Sequence, residues 1–111
     1  MKTIGLVGGT GWISTVDYYR IINQEVNQTL GGLNYARCVL YSLNFGEIAE
    51  HMEKNDYEGI HQLILDGCRK VISCGADCVL ICANTMHMFA DRIIEEIDKP
   101  LIHIASATAA V

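Results

Sequence analysis

The sequence predicts an α/β fold in which a doubly wound, parallel four-stranded sheet carries helices on both faces. Three observations favour it. Short, continuously apolar runs rich in β-branched residues are typical of strands buried on both faces. Helix-like spacing separates these runs, and no repeat, linker or low-complexity tract interrupts the alternation. Strand–helix–strand alternation implies right-handed crossovers and therefore parallel neighbouring strands.

The four predicted strands are residues 4–7, 38–41, 78–82 and 101–104. Each is short, and the longest strictly apolar run covers only residues 78–83, which is too short to span a bilayer. We therefore expect no membrane association.

Helical patterns fill the segments between the strands. The first helix is predicted from about Thr15 to Leu30, before Gly31-Gly32, and a short second one from about Gly46 to Lys54. A third ends at Gly75 and a fourth before Pro100. The apolar stripes of the first, third and fourth helices are Tyr19, Ile22, Val26 and Leu30; Ile60, Ile64, Cys68, Val71 and Ile72; and Met86, Phe89, Ala90, Ile93, Ile94 and Ile97.

Composition narrows the class of protein. With 111 residues, half of them hydrophobic, the chain is long enough for one compact domain and too short for two. Eight basic and thirteen acidic residues give a net charge of −5, and no basic run is present, so nucleic acid is not an expected partner. Lys2 is followed at once by a strand-like run instead of a signal-peptide core, which predicts a cytoplasmic protein.

The five cysteines are interpreted as buried structural thiols, because most lie inside apolar segments and free cysteine packs as a small hydrophobic residue. The spacing of Cys74, Cys78 and Cys82 is suggestive of a metal site. However, Gly75 interrupts it, the last two lie in a predicted strand, and the chain has no CxxC pair. We therefore expect neither a metal nor a disulfide.

Polar or glycine-rich turns follow the predicted strands at residues 8–14, 43–45, 83–87 and 105–106. Each has a structural explanation: a tight glycine turn, a capping box made by Ser14 and Asp17, or an N-cap at Asn84 or Thr85. Ligands of such sheets bind at the carboxyl ends of the strands, where these turns meet. Together they favour a pocket whose amide and hydroxyl donors suit a carboxylate or a phosphate.

The first turn, GGTGWIS, allows a second interpretation, because it resembles the glycine-rich turn of short-chain dehydrogenase-like nucleotide binders. Ser14 stands where the last glycine of that fingerprint belongs. The second strand ends in Ser42-Leu43-Asn44, without a carboxylate for a ribose hydroxyl. An NAD(P)-binding fragment is therefore the less favoured alternative.

Four blocks of sequence carry a more specific likeness: IGLVGGTGWISTVDYYRIIN, LGGLNYARCVLYSLNFGEI, GADCVLICANTMH and PLIHIASATA. In order and spacing they resemble the aspartate/glutamate racemase family, and in particular its broad-specificity amino-acid racemase branch. The resemblance implies that the chain, residues 1–111, is the amino-terminal half of a pseudo-symmetric two-domain enzyme, with residues 105–111 beginning the connection to a second domain. It also implies an active site between the halves, no pyridoxal phosphate or other cofactor, no metal, and one thiol on each face of the substrate as acid and base.

By the same resemblance, the first catalytic residue falls at Ala83, where the family usually has cysteine and the similar branch has threonine. Alanine cannot transfer a proton, so we expect the isolated chain to be inactive. A non-catalytic amino-acid-binding module is the alternative that Ala83 makes credible. Cys82 precedes it by one residue, and strand alternation points Cys82 to the packing side.

The remaining site residues are also implied by the resemblance. Asn84 and Thr85 are expected to hold the carboxylate of a small amino-acid substrate, with Thr10 lining the pocket and Met52 at another substrate-contacting position. Further candidates are Ser14, Thr15 and Asn44. His87 and His103 are interpreted as structural, and Trp12 as a lid or packing residue. A homo-oligomer is expected because half of the residues are hydrophobic and the partner domain is missing.

Overall fold

The computed structural model describes residues 1–82 and 89–102. Within these ranges it contains β1 (Thr3–Gly8), α1 (Trp12–Leu30), β2 (Arg37–Ser42), α2 (Phe45–Glu53), α3 (Tyr57–Ser73), β3 (Cys78–Ile81), α4 (Ala90–Glu96) and β4 (Leu101–Ile102). The predicted order of strands and helices is confirmed. The predicted boundaries agree to within one residue for β1, β2, α2 and the start of β3.

The four strands form one sheet in the order β2-β1-β3-β4, and all three pairs of neighbours are parallel. In this register Val7 of β1 lies beside Tyr41 of β2 and Ile81 of β3. The carboxyl ends of the three strands are therefore level at one edge of the sheet, which we call the carboxyl edge. The predicted doubly wound parallel sheet is confirmed.

Helices cover both faces, but unequally. On one face α3, with α2 and α4, packs on a large core that includes Val7, Val79 and Ile81. On the other face α1 covers a small cluster of Leu6, Leu80 and Cys82. The larger core depends on close approach of α3 to the sheet, because a Cβ added at Gly5 would come within 2.6 Å of the Val71 side chain.

Helix α1 differs from the prediction at its start. It begins at Trp12 with Gly11 as N-cap, and no side chain caps it. The expected capping box of Ser14 and Asp17 is wrong: Ser14 lies inside the first turn and donates its N–H to the Gly11 carbonyl at 3.0 Å, while Asp17 pairs with Arg20. Since φ of Gly11 is +136°, glycine rather than a polar residue fits the cap.

The predicted apolar stripes of α1 and α4 are only partly buried. In α1 the helix turns Thr15, Tyr18 and Ile22 toward the sheet and leaves Tyr19 and Leu30 more than half exposed. In α4 Ile93 is buried but its neighbour Ile94 is exposed, because the seven-residue helix presents a narrow face.

The cysteines are all free. Cys68 and Cys82 are buried as expected, Cys38 and Cys78 are half-buried, and Cys74 is exposed at the C-terminal cap of α3. Among the described residues, no helix combines the length and apolar character needed to cross a membrane.

Candidate functional site

A backbone hydrogen bond joins the turn after β1 to the turn after β2 at the carboxyl edge. Leu43 donates its N–H to the Gly8 carbonyl at 2.7 Å, which extends the strand pairing into both turns. Gly9 has φ +89°, and a Cβ there would collide with the backbone carbonyl of Leu43. Glycine is therefore required for this approach, and Asn44 is brought to the same edge as Thr10.

Thr15, in the first part of α1, holds the turn after β1 against this helix. Its side chain is almost fully buried at 5% exposure, and its hydroxyl accepts a hydrogen bond from the Gly9 N–H at 3.0 Å. A Cβ at Gly8 would meet the Thr15 methyl at 2.6 Å, so the threonine also fills the space that this glycine leaves. The turn thus already uses the oxygen of this candidate substrate ligand.

Thr10 stands out because its side-chain oxygen is buried and has no hydrogen-bond partner in the described part of the chain. A buried hydroxyl without a partner costs about 1–3 kcal/mol, and native proteins rarely leave one unexplained. The residue sits between the end of β1 and the start of α1, where a ligand could supply the missing partner. Ser14, one turn further along, is exposed.

Asn44 is the N-cap of α2, and its side-chain oxygen accepts from the Gly46 N–H at 3.1 Å. This bond explains the asparagine structurally and holds the side chain at the carboxyl edge. Met52 is exposed, but it lies eight residues along the same helix. At 1.5 Å per residue that is about 12 Å from Asn44, so α2 itself does not bring the two together.

The chain also leaves β3 at this edge. Cys82 donates its N–H to the Val7 carbonyl at 2.9 Å, so the chain leaves β3 level with the end of β1. The residues that follow, Ala83, Asn84 and Thr85, lie outside the described residues, as do Met86 and His87. His103 and residues 105–111 do so too.

Cys82 is turned away from this edge into the α1 face of the sheet. It is fully buried beside Leu6 and Leu80, whereas Ile81 points to the α3 face, as strand alternation predicts. Burial raises the pKa of the Cys82 thiol to about 12. A thiol with that pKa is protonated at neutral pH and cannot act as a base.

Two helices begin at the carboxyl edge and point their N-termini toward it. Helix α1 has no acidic residue in its first turn, and within residues 1–82 and 89–102 no acceptor takes up the N–H groups of Trp12 and Ile13, which can therefore face an anion. Helix α2 carries Glu47 in its first turn, which weakens the same effect there. The start of α1, beside Thr10, is the more favourable position for a carboxylate.

An apolar rim surrounds these polar groups. Trp12 is 68% exposed and Ile13 64%, both in the first turn of α1, and Phe45 is about half exposed at the start of α2. Exposed large apolar side chains that lie close together are typical of a surface that contacts another one. Sequence reasoning missed Ile13 and Phe45, although apolar residues directly after polar turns, where no core can reach them, were an available signal.

Comparison with known proteins shows which family the chain resembles. A family model described as Asp/Glu/Hydantoin racemase matches residues 7–111. A curated relative, the broad specificity amino-acid racemase RacX of Bacillus subtilis (strain 168), is 25% identical over 108 residues, which are 95% of this chain and 47% of that protein. The chain therefore spans about half the length of this relative.

Two solved structures are similar over 99% of this chain and 48% of theirs. The crystal structure of a putative Asp/Glu racemase from Yersinia pestis has 44% identity and a TM-score of 0.92. That of an aspartate racemase homologue from Pyrococcus horikoshii OT3 has 30% identity and a TM-score of 0.85. The whole of this fold thus corresponds to about half of each of these longer chains.

Proposed function

The chain belongs to the Asp/Glu/Hydantoin racemase family, and from this premise we propose that it supplies the amino-terminal half of a cofactor-independent amino-acid racemase site. The observation that carries the proposal is the buried Thr10 hydroxyl, which has no hydrogen-bond partner among the described residues, beside the start of α1, which no side chain of that part caps. The relatives, about twice as long, would provide the second half in the remainder of their chains. We propose a cytoplasmic protein with a small amino acid as substrate.

In this proposal the substrate α-carboxylate sits at the N-terminus of α1, where the helix dipole and free N–H groups favour an anion. The Thr10 hydroxyl donates a hydrogen bond to the carboxylate, and this bond removes the free-energy cost of burying the hydroxyl without a partner. Asn84 and Thr85 contribute from the turn after β3. Ser14, Thr15, Asn44 and Met52 are the further candidates in the surroundings of the substrate.

Racemisation requires a base on each face of Cα, because a Cα–H bond of an amino acid is only weakly acidic. One base removes the proton as the other returns one to the opposite face. Position 83 would carry the first of these groups, and alanine there cannot accept or donate a proton. The buried Cys82 thiol does not replace it, since burial raises its pKa to about 12 and its side chain packs with Leu6 and Leu80 on the α1 side of the sheet.

The 111-residue chain is therefore proposed to bind an amino acid without racemising it. The same alanine favours a second candidate function, a non-catalytic amino-acid-binding module. The two differ in what the rest of the protein adds: in a racemase it supplies the proton-transfer groups that this half lacks, whereas in a binding module it supplies none. Substrate binding by this chain is common to both.

Binding is tested by titrating the chain with aspartate and glutamate and following amide chemical shifts. We expect Thr10→Val to weaken binding at least about tenfold, because a hydrogen bond to a charged group is lost. Thr29→Val, the same exchange at the exposed far end of α1, is the matched control and should leave the affinity unchanged. Equal affinities of the wild type and Thr10→Val would remove Thr10 from the site, and no response to any amino acid would contradict the proposal.

We also propose that the protein forms a homo-oligomer, because half of its residues are hydrophobic.

A further inference from the structure

The turns that follow β1 and β2, and the starts of α1 and α2, contain no lysine or arginine. All eight such residues of the chain lie among the described residues, so the position of each is known. None is in residues 8–19 or in residues 43–53. The sequence of the turn after β3, residues 83–88, contains none either. A ligand at the carboxyl edge therefore meets no basic side chain in the segments that we assign to its site.

Five of the eight basic residues lie away from this edge. Three are at the opposite edge of the sheet, where the strands begin: Lys2, Arg37 and Lys99. Arg69 and Lys70 are exposed near the C-terminal end of α3, and Lys70 is 3.0 Å from the carboxylate of Asp66. Because α3 ends shortly before β3 begins, these two also lie away from the carboxyl edge.

The other three basic residues are distant along their helices or already paired. Arg20 lies about 12 Å along α1 from its start, and its guanidinium is 3.5 Å from the carboxylate three residues before it. Lys54 is the C-cap of α2, about 13 Å from the start of that helix. Arg92 donates to two carboxylates, Glu58 at 2.8 Å and Glu96 at 3.2 Å.

The first turn of α2 instead carries a negative charge. Glu47 is exposed there, three residues after Asn44. Like charges repel, and a carboxylate that loses water without gaining a cation is disfavoured. An aspartate or glutamate ligand has a second carboxylate that would meet these conditions at the carboxyl edge. An amino acid with an uncharged side chain has only the α-carboxylate, which the start of α1 accommodates.

The large side chains that surround this position are apolar. Trp12 and Ile13 carry the N–H groups that we assign to the α-carboxylate, and in a helix the Cα–Cβ bonds tilt toward the N-terminus. Both side chains therefore lean toward the carboxyl edge. The hydrogen bond from the Leu43 N–H to the Gly8 carbonyl brings the start of α2, with the exposed Phe45, to the same edge.

We propose that this half of the protein selects amino acids with an uncharged, apolar side chain, such as leucine and methionine, over aspartate and glutamate. The α-carboxylate lies at the start of α1, and the side chain contacts the rim of Trp12, Ile13 and Phe45. This inference rests on the proposed function and specifies its substrate class. Aspartate and glutamate carry the same α-carboxylate and bind at the same position, but more weakly.

Leucine, asparagine and aspartate test the proposal, because their side chains have nearly the same shape and differ in polarity and charge. Each is titrated into the chain while amide chemical shifts are followed. We expect leucine to have a dissociation constant at least about tenfold lower than that of aspartate, with asparagine between them, because leucine buries apolar surface and adds no second charge. Thr10→Val should weaken the binding of all three to a similar extent, since the α-carboxylate is common to them.

Ile13→Lys supplies the cation that this edge lacks. It should raise the affinity for aspartate relative to leucine at least about tenfold, because a charge-assisted hydrogen bond to the second carboxylate becomes possible. Ile21→Lys, the same exchange at another exposed position of α1, is the matched control. It lies about 12 Å further along the helix, and physiological salt screens exposed charges beyond about 8 Å, so the ratio of affinities should stay unchanged. Circular dichroism shows whether both variants are folded.

Aspartate binding more tightly than leucine would overturn this inference and leave the proposed function intact. Lysine binding more tightly than methionine would also overturn it, because Glu47 would then select a cationic side chain. If Ile13→Lys leaves the ratio of affinities unchanged, the ligand side chain does not contact the rim, and the inference fails. If none of these amino acids binds, the proposed function fails and this inference fails with it.

Discussion

Replacing Thr15 by valine should lower the stability of the chain, whereas the same replacement at Thr10 should not. Valine keeps the branched shape that packs on Gly8 but removes the oxygen that accepts from the Gly9 N–H. That N–H is then buried without a partner, which costs about 1–3 kcal/mol. The thermal midpoint should fall by about 4–8 °C for each kcal/mol lost, as in other domains near this size.

Urea unfolding followed by circular dichroism measures this change against two controls. Thr10→Val removes a hydroxyl that has no partner in the described part of the chain, so the free energy of unfolding should stay the same or rise by up to about 1 kcal/mol. Thr29→Val, at the exposed end of α1, should stay within about 0.5 kcal/mol of the wild type. A Thr15→Val chain as stable as the wild type, or a Thr10→Val chain destabilised to the same extent, would refute the assignment of the two hydroxyls.

Two further predictions concern titratable groups. The Arg92 guanidinium, 2.8 Å from Glu58, together with Gln62, lowers the pKa of that carboxyl from 4.5 to about 2. Its contribution to stability is therefore fully present above pH 4.5 and is lost as the pH falls toward 2. Glu58→Gln should reduce the loss of stability across that window in acid titrations, and an unchanged acid transition would contradict this. Iodoacetamide should modify the exposed Cys74 in the folded chain and reach Cys68 and Cys82 only after unfolding, because burial raises the pKa of both thiols to about 12. Mass spectrometry measures the rate of modification at each cysteine. Modification of Cys82 as fast as that of Cys74 would contradict the burial of the Cys82 thiol.

The sheet could be predicted from the sequence because its two central strands are largely buried, and continuously apolar runs such as residues 4–7 and 78–81 leave few alternatives. The expectation of burial on both faces is wrong for β2, which lies at the edge of the sheet and leaves Leu40 about half exposed. The start of α1 could not be predicted. A polar pair at Ser14 and Asp17 fits a common capping pattern, whereas the actual cap depends on the left-handed backbone of Gly11, which the sequence does not show.

The meeting of two polar turns at one edge of the sheet could be predicted from the sequence. Topology alone places the turns of Thr10 and Asn44 at one edge, and β3 ends level with them. Which hydroxyl has a hydrogen-bond partner in the described part of the chain depends on three-dimensional contacts, so the sequence could not distinguish Thr15 from Thr10. The direction of the Cys82 side chain was predictable, because period-two alternation along a strand needs no tertiary information.

The central claim, that this chain is one half of a two-base racemase site with its first base missing, is tested most directly by Cα-hydrogen exchange. The Cα–H signals of D- and L-aspartate and glutamate are followed in deuterated water with the wild type and with Ala83→Cys. We expect neither exchange nor inversion with the wild type, and exchange of one enantiomer without inversion with Ala83→Cys, because one base can remove a proton but cannot return one to the other face. Inversion by the wild-type chain would contradict the need for a second half, and an Ala83→Cys chain that binds the amino acid but exchanges no deuterium would contradict the assignment of position 83.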